Sequence, residues 1–386
     1  MEGRLGSENS LACQRSVGEV WPMTRNTDNR VGGKVTIKDI SAKLGISSTT
    51  VHRAITGKEG MTDALRQKIL QTAREMGYEI NYAASSIKRR PVRIAVILPQ
   101  DDGCYFGNIW NGVQTYAEEV RRLNVEVEMY ICEDEWHEYE LLKSIADAGP
   151  DEYAGVLAFS YSRMPEVLMQ LQRLIALKIT TFVIDDVMKE PEGIHCIPAY
   201  QKSVGELAGE LTALITPERG TVIVTEGRPD SQIHIQKLEA FKSYLAEKKP
   251  GLKLVTVKGY STKEETDPPV LANVRQALKE NEDIVLYYAQ TSGDTRLAVK
   301  VFKELNAEKK FLKIGTDLNV NTAKCLRGDE LTLVIDQGGF MKGYIGLGSL
   351  VDSVVKHIEP SQNIDIEIDV IYKSNLRFYE RTKKLK

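Results

Sequence analysis

An alternation that begins near residue 92 and runs through the rest of the chain restricts the fold more than any other feature. Apolar runs rich in Val, Ile and Leu recur at Arg93–Pro99, Val125–Cys132, Gly155–Tyr161, Thr181–Asp185, Thr221–Thr225, Leu252–Val257, Asp283–Ala289, Leu312–Asp317 and Leu331–Asp336. Amphipathic stretches fall between them, among them Phe106–Leu123, Pro165–Leu177, Gln201–Ile215, Ser231–Lys248, Glu264–Glu280 and Gly339–His357. Near-continuous apolar runs predict strands covered on both faces, as in parallel sheets. Strand–helix alternation of this length predicts an α/β, doubly wound body, too long for one sheet and suited to two lobes. Glu190-Pro191-Glu192-Gly193 and the segment near Pro198 mark the expected crossing between lobes. Gly343, Gly346 and Gly348 imitate a phosphate-loop spacing but lie inside a predicted helix, so they are read as close-packing positions.

The texture before residue 92 differs. Residues 1–34 have no period and are rich in Gly, Ser, Asn and Arg, which predicts a disordered extension; Met23 lies close to the first structured segment, so residues 1–22 are read as an over-extended reading frame or added residues. From Thr36 three short helical patterns follow. Thr36-Ile37-Lys38-Asp39 reads as a capping box, with Ile37, Ile40, Ala42 and Leu44 apolar and Gly45 as the stop. A second helix is expected over Ser47–Ile55 with Val51, Ala54 and Ile55 inward. A third is capped by Thr62, carries Leu65, Ile69, Leu70, Ala73 and Met76, and stops at Gly77. A tight turn between the first two makes a helix-turn-helix.

Charge separates these regions. The net charge of −3 conceals a balance of +6 over residues 34–90 and −9 over residues 91–386. A small basic module on an acidic body is the footprint of a polyanion-binding head. No apolar run approaches the ~18–20 residues of a membrane span, and no signal-peptide core is visible, so a cytoplasmic protein is expected. The five cysteines are dispersed, without CxxC, and are read as reduced thiols. HExxH, GxSxG and GxxxxGK[ST] are missing from the sequence, so no enzyme, no metal and no cofactor is expected.

Residues Val35 to Ile55, VTIKDISAKLGISSTTVHRAI, and the continuation Met76-Gly77-Tyr78-Glu79-Ile80-Asn81-Tyr82-Ala83-Ala84-Ser85-Ser86-Ile87 resemble the DNA-binding head of the lactose-repressor (LacI/GalR) family of bacterial regulators. The rest is similar, more loosely, to that family's body, which is built like the periplasmic sugar-binding proteins. The resemblance implies a disordered extension 1–34, a helix-turn-helix domain 35–79, a hinge helix and linker 80–91, and a two-lobed ligand-binding and dimerisation domain 92–386. It places Ser48, Thr49, His52 and Arg53 against base edges. Arg53 is suited to the O6/N7 pair of guanine, whereas His52 stands where the family usually has a small residue. It also implies that Asn81, Ala84 and Ile87 enter the minor groove, Ile87 standing where the family has Leu. Lys88, Arg89 and Arg90 would add phosphate contacts.

In a two-lobed α/β body ligands lie beyond the carboxyl ends of the strands. Tyr105, Phe106, Asn108 and Trp110 follow the first strand, Asp185 and Asp186 the fourth, Gln290-Thr291-Ser292 the seventh, and Asp317 and Gln337 the last two. Carboxylates and amides pair with hydroxyls while rings cover a sugar's apolar face. Tyr105, Phe106, Asp185, Asp317 and Gln337 fall on positions of the family's sugar sites. Asp186, Thr291 and the His234 region depart from its pattern. The expected protein is a homodimeric transcription regulator whose affinity for double-stranded operator DNA follows a small ligand, a sugar or sugar derivative. A transporter's solute-binding module and a sugar-modifying enzyme are the competing readings. The basic head argues against the first, the absence of a catalytic motif against the second.

Overall fold

The computed structural model describes residues 35–56, 60–78, 90–159, 164–185, 192–229, 231–258, 269–307 and 310–382. The chain divides into two units, Met1–Ile80 and Asn81–Lys386. Asn81, Ala84, Ile87 and Asp186, like the extension 1–34, lie outside the described residues.

The first unit is three helices, α1 (Ile37–Leu44), α2 (Ser48–Ile55) and α3 (Asp63–Glu75). The carboxylate of Asp39 accepts from both the amide and the hydroxyl of Thr36 at 2.7 Å, which holds its carboxyl below the usual carboxylate range. Gly45, at φ 67°, turns the chain toward α2 and returns its N–H to the Ser41 carbonyl. Ser47 caps α2 by accepting from Thr50 N–H at 3.1 Å, so the helix begins one residue later than the sequence pattern suggested. Ile40, Val51 and Ile69 are fully enclosed, with Ala54, Ile55 and Ala73 between them.

The second unit holds two sheets. In the first, β1 (Val92–Pro99), β2 (Val125–Cys132), β3 (Gly155–Phe159), β4 (Thr180–Asp185) and β5 (His195–Pro198) pair in the order β2-β1-β3-β4-β5, all parallel. In the second, β6 (Gly220–Thr225), β7 (Leu252–Val257), β8 (Ile284–Tyr288), β9 (Leu312–Thr316), β10 (Leu333–Asp336) and β11 (Asp369–Ile371) pair in the order β11-β10-β9-β8-β6-β7. Only β11 runs antiparallel to its neighbour. The first lobe carries α4 (Tyr105–Val120), α5 (Glu135–Ala148) and α6 (Pro165–Ala176); the second carries α7 (Gln201–Ile215), α8 (Gln232–Lys248), α9 (Pro269–Glu280), α10 (Ser292–Glu304) and α11 (Val320–Arg327). Apolar clusters cover both faces of each sheet, which accounts for the unbroken apolar texture of the strands.

The chain crosses between lobes three times, where the sequence pointed to one place. It crosses after Pro198 into α7. It crosses back after β10, where Gly338 at φ 72° leads into α12 (Gly339–Lys356), which packs on α4, β3 and β4 of the first lobe. It then passes β5, where Cys196 N–H donates to Gln362 O at 2.7 Å and the Cys196 carbonyl accepts from Ile364 N–H at 2.8 Å, before entering β11 and α13 (Leu376–Thr382). Strands β5 and β11, four and three residues long, are too short to show a period and were not expected.

Helices α4 and α12 touch backbone to backbone. A Cβ on Gly112 would lie 2.0 Å from the Phe340 carbonyl oxygen, and one on Gly343 2.1 Å from that of Ile109. No rotamer relieves a clash with backbone, so the two helices would have to part. Gly343→Ala is expected to cost the body ~1–3 kcal/mol in urea unfolding. Gly328→Ala, where the nearest atoms stand 3.5 Å away, is expected to change it by less than ~0.5 kcal/mol.

Candidate functional site

The head and the body each present a candidate surface. In the head, Val51, Ala54 and Ile55 bury one face of α2, so the helical period leaves Ser48, Thr49, His52 and Arg53 exposed on the other. The guanidinium of Arg53 lies beside Gly60, whose φ of 99° and lack of a side chain leave it room. The four residues therefore share one solvent-facing surface at the start of the second helix of a helix-turn-helix.

In the body, the carboxyl ends of the strands gather the polar groups. Asp185 ends β4 and Asp317 follows β9, and both stand at positive φ, 70° and 60°. Aspartate tolerates this left-handed turn better than most side chains, and it bends the chain sharply out of the sheet. Asp185 is fully engaged: the Tyr105 hydroxyl donates to Oδ2 at 2.5 Å and the Lys342 ammonium to Oδ1 at 2.6 Å. Lys342 also donates to the Tyr105 oxygen at 2.8 Å, closing a triangle. Lys342 is 1% exposed and Asp185 8%, so this is a buried ion pair. Burial and the neighbouring carboxylate push the Tyr105 phenol well above its usual value.

The facing cluster belongs to the second lobe and its crossing. Gln337 donates from Nε2 to Asp317 Oδ1 at 2.8 Å and accepts at Oε1 from Lys237 at 3.3 Å. Lys237, on α8, also donates to the Gln290 carbonyl at 2.9 Å. Burial pushes the Lys237 ammonium down to about 8, with Asp317 opposing the shift, and burial likewise raises Asp317 against the pull of Lys237. Asp294, in the first turn of α10, is pushed up to about 6 by burial. Asn108 ties the lobes together: from α4 it donates to the Leu318 carbonyl at 2.8 Å, and Leu318 N–H donates to Asp336 at 3.0 Å.

Tyr105, Asn108, Asp185, Asp317 and Gln337 are thus brought to one region between the lobes. Phe106 turns its ring edge-on to Phe159 in the first lobe's core, and Trp110 donates to the Pro99 carbonyl at 2.7 Å. Thr291 caps α10, its hydroxyl accepting from Asp294 N–H at 3.0 Å. His234 accepts from Arg228 N–H at 2.8 Å through Nδ1. The sequence reading missed Lys237, Lys342 and Asp294. A charge within a helical pattern is normally read as solvated. The available signal for Lys342 was its place in the otherwise uncharged run GFMKGYIGLGSLV. Among the described residues no cluster of three or more His, Cys, Asp or Glu could hold a metal ion, and no helix is long and apolar enough to cross a membrane.

A two-lobed parallel α/β body with polar groups at the strand ends, joined by three crossings, defines a ligand-binding module of the periplasmic-binding type. Residues 94–355 match the periplasmic binding protein domain and residues 36–81 match the lacI family of bacterial regulatory proteins. Over most of its length the chain belongs to the periplasmic binding protein domain family, and its first unit carries the match to the lacI family. It is 30% identical over 104 residues to the HTH-type transcriptional regulator DegA of Bacillus subtilis, covering 27% of this chain and 29% of DegA. It is 32% identical over 90 residues to the ribitol operon repressor of Klebsiella aerogenes, covering 22% of this chain and 33% of the repressor. The chain therefore spans about a third of the length of these curated relatives. The fold is shared with a protein described as a LacI transcriptional regulator from Bacteroides fragilis (TM-score 0.64, 16% identity, 75% of this chain and 100% of that one). It is shared too with AraP, an arabinose binding protein from Geobacillus stearothermophilus (TM-score 0.60, 18% identity, 75% and 99%).

Two stability predictions follow from the buried charges. Lys342→Met strands the Asp185 carboxylate and is expected to cost ~3–5 kcal/mol in urea unfolding, with more than half regained when Asp185→Asn is added. Asp294→Asn acts in the opposite direction. The folded-state value of about 6 lies above the ordinary 3.8, so ionised Asp294 opposes folding above pH 6 and not below pH 4. The Asn variant is expected to be more stable than the parent by up to ~3 kcal/mol at pH 7, the gain fading as pH falls toward 4.

Proposed function

We propose that this protein is a cytoplasmic, homodimeric transcription regulator. Its head reads a two-fold symmetric operator in duplex DNA, and its body binds a small polyhydroxylated ligand, a sugar or sugar derivative, between the lobes. The observation that carries this reading is the outward face of α2. Ser48, Thr49, His52 and Arg53 are exposed together on a helix whose other face is core, in a segment with a charge balance of +6. A helix of this kind fits the major groove, and its first turns reach base edges. Short hydroxylated side chains at Ser48 and Thr49 offer both donors and acceptors, and Arg53 offers the bidentate fork that selects guanine. In this reading Asn81, Ala84 and Ile87 form a hinge that enters the minor groove.

The ligand assignment rests on the strand-end carboxylates and amides, Asp185, Asp317 and Gln337, and on Tyr105 beside them. The name of one relative, a ribitol operon repressor, and those of fold neighbours that bind arabinose or ribose agree with a polyol. Phe106 and Asn108 serve the site from behind, by packing and by tying the lobes. Closure around a ligand changes the angle between the two first lobes of a dimer, and with it the pairing of hinge segments on DNA. Ligand and DNA then alter each other's affinity by the same factor. A dimer is favoured because two heads on a palindrome match protein symmetry to operator symmetry. None of this requires a catalytic group, and the protein is read as a regulator, not an enzyme.

Arg53→Ala is expected to weaken binding to the preferred duplex by ~1–3 kcal/mol and to relax preference at one base pair per half-site, with thermal stability of the body unchanged. Fluorescence anisotropy with matched and singly substituted duplexes measures this. Equal loss on all sequences would make Arg53 a phosphate contact.

A further inference from the structure

The polar groups between the lobes are unevenly spent. In the first lobe, both oxygens of Asp185 are taken by Tyr105 and Lys342. In the second, Asp317 shares a bond with Gln337, and Gln337 in turn accepts from Lys237. Among the buried side chains left open in this lobe are two at the end of β8 and the start of α10. Gln290, 0% exposed, makes no bond with either end of its amide, although its backbone N–H and carbonyl are bonded to Thr225 and Lys237. Asp294, 2% exposed, has both carboxylate oxygens without a hydrogen bond of good geometry. Buried polar atoms are almost always partnered, so the open amide of Gln290 and carboxylate of Asp294 beyond the carboxyl end of β8 mark a place that something else completes.

The neighbourhood narrows what that is. Lys237 makes no ion pair among the described residues and stands within electrostatic reach of Asp317, Asp185 and Asp294. Among the described residues the region holds four buried carboxylates, Asp185, Asp294, Asp317 and Asp336, against two buried ammoniums, Lys237 and Lys342. A further anion would meet a surplus of negative charge, whereas hydroxyl groups can donate to Asp294 and Gln290 Oε1 and accept from Gln290 Nε2.

We infer that Gln290 and Asp294 form a polar half-site in the second lobe that grips the hydroxylated end of a neutral polyol, and that Asp294 is the residue that rejects acidic and phosphorylated analogues. This deepens the ligand reading above and rests on it. In the sequence Asp294 lies three residues beyond Thr291, where a helix-start carboxylate would ordinarily be read as a cap. Full burial, between Lys237 and Glu226, separates it from that role. Burial outweighs the Thr291 and Thr225 hydroxyls and the Lys237 ammonium in pushing Asp294 up to about 6, and a ligand hydroxyl donating to it would lower that value.

The test uses the full chain and a fixed panel: D-ribose, D-arabinose, D-glucose, D-galactose and ribitol, with ribose 5-phosphate, glucose 6-phosphate and gluconate as charged counterparts. Melting temperature is recorded against probe concentration for the parent, Gln290→Leu, Asp294→Ala and Asp294→Asn. The expected result is a saturable rise with at least one neutral probe and none with its charged counterpart. Apparent affinity for the neutral probe should fall at least tenfold in Gln290→Leu and Asp294→Ala. In Asp294→Asn, which keeps the shape and one acceptor, the charged counterpart should gain at least fivefold relative to the neutral probe. If Asp294→Ala does not fold, Asp294→Asn and Gln290→Leu carry the comparison. A neutral probe bound within twofold of the parent by folded Gln290→Leu and Asp294→Asn, with no change in charge preference, overturns the half-site and leaves the ligand reading standing. Preference of the parent for a charged probe does the same. A panel that shifts nothing removes the sugar reading itself, and the half-site with it.

Discussion

The return of the chain from the second lobe into the first is the constraint on which the site depends. Helix α12 follows β10 in sequence but packs on the sheet of the other lobe, against α4. It can come close enough only because Gly112 and Gly343 present bare backbone to each other's helix. That contact fixes the first turns of α12, and with them Gln337 at the crossing and Lys342 one turn in. Lys342 then reaches Asp185 at the end of β4 and Tyr105 at the start of α4, three elements far apart in sequence. The polar site is a consequence of a close helix packing whose tightest contacts are glycine against backbone.

The energetics of the two lobes differ accordingly. Sinking Lys342 and Asp185 into the interior costs several kcal/mol of hydration, which their mutual contact and the Tyr105 hydroxyl offset only if the geometry is kept. Such a pair acts less as a source of net stability than as a condition on the arrangement: any shift of α12 against β4 leaves a charge stranded. The second lobe is looser in this sense. Lys237 donates to two neutral acceptors, and Gln290 and Asp294 keep open valences. On the first-lobe side of the site the charges are therefore paired with one another, whereas on the second-lobe side Gln290 and Asp294 are not.

Much of this was legible in the sequence, for reasons specific to each element. The strand Val125–Cys132 alternates Val with Glu before an apolar end, the helix Gln201–Ile215 shows a full 3.6-residue stripe, and the ends of both agree with the structure to the residue. The cap of α2 was displaced by one residue because a serine at either of two adjacent positions satisfies the pattern and only the bond from Thr50 N–H decides it. Strands β5 and β11 carry too few residues for a period. Of the site, the residues directly after strands could be named from topology. The two lysines could not, because mid-helix cations are read as surface unless the opposing helix is known. Trp110 was legible as aromatic but not as core, since both roles leave the same trace at the start of a helix, whereas Phe106 stays half-buried at the edge of that core.

Head and body divide the work by charge and by packing. The head is a small core of six buried residues that holds one polar face outward, a design that trades stability for reach. The body is large and acidic, and its polar site is assembled at its crossings. The claim that unites them is that the outward face of α2 reads sequence. Enrichment of duplexes from a random pool by the full chain tests it most directly. The account predicts recovery of a two-fold symmetric consensus, with fixed spacing between half-sites. Recovery of no shared sequence after repeated rounds, with the protein folded and binding DNA only in proportion to its charge, would contradict it.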